Sequence, residues 1–446
     1  MKTGSIIQIL VRREIGFNRC FRIASTHERF KSNFLQAEYD TQVPERQSAI
    51  VLPFMRERSK VVEILSARGV VFARVESGVC VAFSRGTNQR LCFLNVSGEI
   101  IQDIFYNKCD DSIITVSISE SDNFSSFKCR STGIEYIRRA QPNAGFTLFE
   151  SLSLKRPGFV DFDDLDSNAV TFSVEESIYR VFDLSNYTML YSIINRDLHE
   201  IDFSPGMMLF IYPPRSGNNI NRFKIHSIED GSVLKSFTYR LHRERKEEVI
   251  ALCNEKLLFK QENEKLQILD VRTSTVIKVN GTEFKDMQSE FLFLYKKHMF
   301  LTFSNRTVAM WNFRGELVTT FEEHHFLNPA DSSFNNTIYT TSDEDLIISY
   351  GKAETNDQQR NGKAGSINIS SILTGKSIAK IDAGNSRMLK ECTCSGRRCN
   401  SSSHQATEIT STVAQALDDV TALCYDEELN ELYTGNQAGL LHVWSS

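Results

Sequence analysis

Tryptophan is almost missing from this chain, with 2 residues in 446, while phenylalanine reaches 31. Any packed interior must therefore be filled by phenylalanine and aliphatic side chains. Long apolar runs are missing too: none approaches the roughly 18 uninterrupted residues of a membrane span, so a soluble protein with no membrane partner is expected. There is no basic excess, since 51 Lys and Arg face 56 Asp and Glu and the formal charge is -5. That balance excludes a dominant nucleic-acid or lipid surface, which needs a strongly positive field. Signatures of chemistry are lacking as well. No phosphate-binding loop, nucleophile elbow, paired helical zinc histidines or kinase motif occurs, so the chain is expected to be non-enzymatic and without a cofactor.

What is present is repetition. A short apolar strand, a small polar or Gly-containing turn and a second apolar strand return at a near-constant interval, most clearly over Thr307 to Phe321 (TVAMWNFRGELVTTF). With Trp311 as anchor, equivalent positions are assigned to Leu94, Ile137, Phe182, His226, Leu269, Ser370 and Trp444. From Leu94 to Trp311 the intervals are 43, 45, 44, 43 and 42 residues. That is the length of one four-stranded propeller blade per step. Helical periodicity is nearly absent after residue 50, and strand patterns of β-branched and aromatic residues take its place. The fold class is thus all-β, a single β-propeller, with eight blades favoured over seven.

The first full blade is placed at Val70 to Val75, Val79 to Ser84, Leu91 to Val96 and Glu99 to Phe105. The second spans Ile113 to Phe149, the third Phe159 to Ile193, the fourth His199 to Phe237 and the fifth Glu248 to Lys278. The sixth runs from Glu290 to Phe321 and the seventh from Asn336 to Ile381. The eighth, from Asp418 to Trp444, has only three strands. An unpaired edge there would be exposed, so an N-terminal strand should complete it, with Lys60 to Leu65 (KVVEIL) as the candidate. Domain bounds follow: residues 1–50 as a basic, flexible arm and 60–446 as the propeller.

Two intervals are longer, 59 residues from Trp311 to Ser370 and 74 from Ser370 to Trp444. Insertions at 351–363 and 383–417 account for them. In an up-and-down meander, the second-to-third and blade-to-blade connections emerge on one face, so the two insertions should lie side by side where binding residues are most often presented.

Ile201 to Met207 (IDFSPGM) and Leu432 to Trp444 (LYTGNQAGLLHVW) resemble the two most recognisable segments of a WD-repeat. The chain is similar to WD-repeat, transducin-like propellers over residues 60–446, in particular to uncharacterised plant members. Only Trp311 and Trp444 fill the family's tryptophan position, Asp follows the anchor only at Asp183 and Asp270, and no Gly-His pair opens a repeat. The resemblance implies a scaffold or adaptor whose partners are other proteins. Leu257 to Thr273 (LLFKQENEKLQILDVRT) also resembles the box by which some WD-repeat proteins dock onto the adaptor of a cullin-RING ubiquitin ligase. Asp270 and Arg272 would then be docking residues and the protein a substrate receptor. The alternative, favoured on the residues themselves, is that Asp270 caps a tight turn and Arg272 is a solvated charge.

Ten cysteines are scattered along the chain. Cys80, Cys92, Cys129, Cys253 and Cys424 fall inside strand patterns, where a thiol behaves as a small buried hydrophobe. Cys392, Cys394, Cys399 and His404 lie close enough to be a candidate zinc set, but C-x-C-x4-C-x4-H is not a standard finger or knuckle spacing. An exposed, oxidisable loop is the expectation there. Arg240 to Lys246 form a basic run that could meet an acidic partner, and it lacks the aromatics of a nucleic-acid platform. His324 and His325 beside Glu322 and Glu323 point alternately and do not converge. The first 35 residues carry Lys2, Arg12, Arg13, Arg19, Arg22, Arg29 and Lys31 against Glu14 and Glu28. A reducing compartment, cytoplasm or nucleus, is expected; an organelle-targeting role for residues 1–35 is the alternative.

Overall fold

The computed structural model describes residues 30, 34–45, 51–150, 152, 154–163, 167–194, 198, 200–212, 220–240, 247–261, 265–279, 290–304, 307–321, 335–352, 364–384, 387–388 and 409–445. Eight sheets stand in a ring, one per blade, each built on four antiparallel strands. Blade 1 is Val61–Ala67, Val70–Val75, Cys80–Ser84 and Gln89–Phe93. Blade 2 is Glu99–Asn107, Ser112–Ser119, Phe127–Gly133 and Phe146–Leu148. Blade 3 follows as Phe159–Asp163, Asn168–Ser173, Ile178–Asp183 and Met189–Ile194, and blade 4 as Glu200–Ser204, Met207–Tyr212, Ile220–Ser227 and Val233–Arg240. Blade 5 is Glu247–Cys253, Lys256–Gln261, Gln267–Asp270 and Val276–Lys278. Blade 6 is Glu290–Leu294, Met299–Ser304, Thr307–Asn312 and Leu317–Thr320. Blade 7 is Ile338–Thr340, Leu346–Gly351, Ser366–Ser371 and Ser377–Ile381. Blade 8 is Val420–Asp426, Glu431–Asn436 and Leu440–Ser445, with Phe34–Asp40 as its fourth strand and Arg387–Met388 pairing parallel beyond that.

Second strands are the most buried, as in Leu346–Gly351 and Ser112–Ser119, while fourth strands such as Met189–Ile194 and Val276–Lys278 face solvent. The chain therefore starts each blade at the axis and leaves it at the rim. Short apolar strands are stable here because each blade buries both faces against its neighbours. The core is accordingly a series of inter-blade clusters, for example Val170, Val181, Met208 and Phe210 between blades 3 and 4. Phenylalanines supply much of this filling: Phe105 stacks on Phe162 between blades 2 and 3 at 4.8 Å, and Phe223 meets Phe259 between blades 4 and 5 at 5.6 Å.

The eight-bladed ring and its closure by an N-terminal strand stand as expected, but the strand is a different one. Phe34–Asp40 pairs with Leu440–Ser445 in the register Phe34 to Ser445 and Asp40 to Leu440. Lys60 to Leu65 contributes instead to the first strand of blade 1, where Val61 pairs with Val75 and Leu65 with Phe72. Phe34–Asp40 (FLQAEYD) alternates from Leu35 onward and Val61–Ala67 (VVEILSA) does not, but both are short strand-compatible runs, and neither pattern names the edge it will pair with. Phe34–Asp40, inside the segment expected to be an arm, is thus part of the ring. Blade 1 begins one strand earlier than expected, and the Ser97-Gly98 turn connects blades 1 and 2 rather than the last two strands of one blade.

The earlier start of blade 1 also moves two anchors. Trp311, Phe182, His226, Leu269, Ser370 and Trp444 each pair with the second residue of their blade's second strand. By that criterion the equivalents in blades 1 and 2 are Phe83, paired with Val71, and Thr132, paired with Ile113. Leu94 and Ile137 are core residues of the cluster between these blades, and Ile137 sits in a short helix, Ile134–Arg138, rather than a strand. Blade 2's helix and longer strands displace the true repeat, and two apolar core positions happened to fall on the beat.

Candidate functional site

Each innermost strand has one bare edge toward the axis, and its free N–H groups need partners. Asp103, Asp161 and Asp202 answer this identically: the Oδ1 of each accepts from the N–H of the following residue, Ile104, Phe162 or Phe203, at 2.9 Å. Asp202 Oδ2 also accepts from Leu252 N in blade 5 at 2.7 Å. In blade 1 Glu63 takes the comparable place, accepting from Arg74 Nε at 2.6 Å. Partial burial, with the neighbouring Asp103 adding to it, pushes the Glu63 carboxyl up to about 7. Burial likewise raises Asp103 and Asp161, the latter with a contribution from Asp103. Carboxyl groups of three successive blades therefore sense one another along the axis. The recurring Asp followed by an apolar residue in a first strand was the signal in the sequence for these positions.

The turns between first and second strands knit most of the ring together on one face. Ser66 Oγ donates to Asp426 Oδ2 at 2.5 Å across the closing seam, and Arg68 Nε donates to Asp111 Oδ1 at 2.9 Å between blades 1 and 2. Asn254 N donates to Ser204 Oγ at 2.7 Å between blades 4 and 5, and Asn254 Nδ2 to Tyr295 O at 3.3 Å between 5 and 6. Lys297 N donates to Glu344 Oε2 at 2.9 Å, and Ser342 Oγ to Glu427 Oε2 at 2.7 Å, linking blades 6 to 7 and 7 to 8. Between blades 7, 8, 1 and 2 these turns surround a cavity of about 700 Å³. Phe105, Tyr106, Tyr339 and Tyr425 give it an aromatic wall, with Asp426, Glu427 and Glu428 at one side and Arg68 and Lys108 at the other.

The seam has its own polar anchor. Arg85 donates to both oxygens of Glu431 at 2.5 and 2.6 Å and to Tyr39 Oη at 2.9 Å, tying blade 1, blade 8 and the N-terminal strand in one contact. A Cβ at Gly435 would lie 2.4 Å from Val61 Cγ1, so only glycine allows the two blades this close. On the other side of the N-terminal strand, Glu38 accepts from Thr410 Oγ1 at 2.6 Å and Ser411 N at 2.9 Å, and lies 3.5 Å from the fully buried His442. Burial alone would raise its carboxyl, but the bonds from His442, Ser411 and Thr410 hold it well below the usual range.

The feet of the two insertions are adjacent. Tyr350 Oη and Gly365 N both donate to Leu417 O, at 3.0 and 3.2 Å, and Lys352 pairs with Asp419 at 2.5 Å. The 383–417 insertion also starts and returns on the N-terminal strand, through Arg387–Met388 and through Thr410 and Ser411. Cys392, Cys394, Cys399 and His404 lie outside the described residues, as do residues 241–246 of the basic run, the acid and histidine cluster at 322–325 and most of 351–363.

Asp270 and Arg272 are placed at the turn between the third and fourth strands of blade 5. Asp270 binds Lys256 and accepts from Thr273 N at 2.8 Å, and these bonds bring its carboxyl down to about 2. Arg272, with its side chain 75% exposed, pairs with Glu255 at 2.6 Å. Cys80, Cys129 and Cys253 are buried and Cys92 and Cys424 partly so; burial pushes Cys92 up to about 11 and Cys129, Cys253 and Cys424 to about 12. Such thiols are protonated at neutral pH and inert as nucleophiles. Among the described residues no three His, Cys, Asp or Glu side chains are grouped to hold a metal ion, and no helix is long and apolar enough to cross a membrane.

A family model covering residues 18–444 matches this chain, under the description "Domain of unknown function (DUF7899)". The chain belongs to the DUF7899 family. No curated protein matches it. Among solved structures, the DUF7899 chain is similar to the computationally designed Ika8 protein, at 14% identity and a TM-score of 0.50, over 87% of this chain and 97% of that one. BamB from Moraxella catarrhalis aligns over 93% of this chain and 98% of its own at 10% identity, with a TM-score of 0.44. At such identities the likeness to Ika8 concerns the fold alone.

Proposed function

We propose that this DUF7899 protein is a non-enzymatic protein-interaction scaffold. The observation that carries this reading is the closed eight-bladed ring, whose turn face opens at an aromatic and acidic mouth while its insertions stand together by their feet. The resemblance of Ile201 to Met207 and Leu432 to Trp444 to WD-repeat segments supports the same role. Cytoplasm or nucleus suits the reduced thiols of Cys80, Cys129 and Cys253. The test replaces residues 389–408 by a short Gly-Ser linker, which leaves both feet on the N-terminal strand. Proximity labelling should then lose part of the partner set while the thermal midpoint stays unchanged. An identical partner set would remove this insertion from the binding surface.

A second reading, a substrate receptor of a cullin-RING ligase docking through Asp270 and Arg272, is favoured only by the exposure of Arg272 at a turn. Arg272→Ala in an adaptor-binding assay decides it, since no binding by the parent chain ends the idea.

A further inference from the structure

The N-terminal strand passes into the ring from the face that carries the mouth. Phe34 pairs with Ser445, and Ser445 pairs with Glu431 beside the turn that holds Asp426, Glu427 and Glu428. Just before it, Phe30 is 5% exposed and its ring lies 5.5 Å from Tyr425, a residue of the mouth's wall. Tyr425 in turn meets Tyr339 edge-on at 6.0 Å. Phe30 is thus held beside the mouth's wall, and residues 12–29 directly precede it in the chain. They carry Arg12, Arg13, Arg19, Arg22 and Arg29 against Glu14 and Glu28, with Ile15, Phe17, Phe21 and Ile23 interleaved.

The mouth offers the complementary surface. Asp426, Glu427 and Glu428 form its blade 8 side, and Glu428 is exposed. Arg68, on the opposite side, is already paired with Asp111 at 2.9 Å. Phe105, Tyr106 and Tyr339 suit both apolar side chains and guanidinium groups, which stack on aromatic faces. Reach is no obstacle, because an extended residue spans about 3.3 Å and the tether ends at the wall itself.

We propose that the basic segment 12–29 of this same chain seats across the acidic, aromatic mouth between blades 7, 8, 1 and 2. A short tether gives it a high effective concentration there, so a basic partner segment must compete with it. This inference extends the scaffold reading but does not depend on the insertions, and its failure would leave the linker experiment above untouched.

The test uses a fluorescent synthetic peptide of residues 12–29 with Cys20→Ser, added to the full-length chain and to a full-length variant in which Arg12, Arg13, Arg19 and Arg22 are changed to Gln. None of the four positions is among the described residues of the ring. The variant should bind the peptide at least about 10-fold more tightly than the wild type, because its own segment no longer fills the mouth. Adding Glu428→Lys should weaken that binding by a similar factor, at an unchanged thermal midpoint. Equal affinity for both chains would overturn the proposal by showing a mouth open to basic segments in trans. Binding to neither would overturn it by removing the surface.

Discussion

Blades 6 and 8 differ from blades 3 and 7 at one repeated pair of positions. In blade 6 Trp311 Nε1 donates to Thr302 Oγ1 at 3.0 Å, and in blade 8 Trp444 Nε1 donates to Thr434 Oγ1 at 2.9 Å. Both threonines are the fourth residue of their second strand, two beyond the residue that pairs with the tryptophan. In blade 3 the same position is Thr171 and in blade 7 it is Ser349, opposite Phe182 and Ser370. Their hydroxyls are fully buried and have no hydrogen-bond partner among the described residues. One repeat thus exists in two energetic forms. Where an indole stands opposite, the hydroxyl is satisfied; where Phe182 or Ser370 stands there instead, the buried hydroxyl is a cost that the rest of the blade carries.

Substitutions can break or sharpen this contrast. The largest effect is expected for Trp444→Ala, which empties a fully buried site beside the closing seam and orphans Thr434; chemical denaturation should show a loss of about 4 kcal/mol. Trp311→Phe keeps most of the packing but strands Thr302, and a loss of about 1 to 3 kcal/mol is expected. A paired experiment comes next: Thr302→Val should cost about 1 kcal/mol, whereas Thr171→Val should be neutral or stabilising by up to about 1 kcal/mol. If Thr171→Val cost as much as Thr302→Val, the two blade forms would not differ as described.

The smallest effect concerns a polar group satisfied by one neighbour and crowded by another. Glu63 is bound by Arg74, yet burial and Asp103 raise its carboxyl from 4.5 to about 7. A raised acid takes up a proton on folding, so its contribution declines as pH climbs from about 4.5 to 7 and stays reduced above. Relative to wild type, Glu63→Gln should therefore gain about 1 kcal/mol between pH 5 and pH 8, a figure reduced for its partial contact with solvent. Thermal midpoints of both chains across that window measure it, and parallel curves would refute the shift.

Blades 3 to 8 could be read from the chain because their Trp, Phe, His, Leu or Ser anchors sit in third strands. Blades 1 and 2 could not, since Leu94 and Ile137 imitate the spacing while the register belongs to Phe83 and Thr132. The same limit hid the mouth. Asp426 to Glu428, Tyr106 and Tyr339 are far apart in the chain and meet only when blade 8 closes on blade 1. Asp270 as a turn cap was legible, because its bond to Thr273 is local.

The sequence alone determined that this is an all-β ring of repeated blades, since the alternation of side chains and the turn residues are local properties that each repeat restates. The tertiary structure alone decided which strand closes the ring. Phe34–Asp40 and Val61–Ala67 are both short strand-compatible runs, and only the first finds Trp444, Val443 and Leu441 across the free edge of blade 8 while the other completes blade 1. That choice is made by burial and edge pairing between chain ends some 400 residues apart, a contact no local window contains.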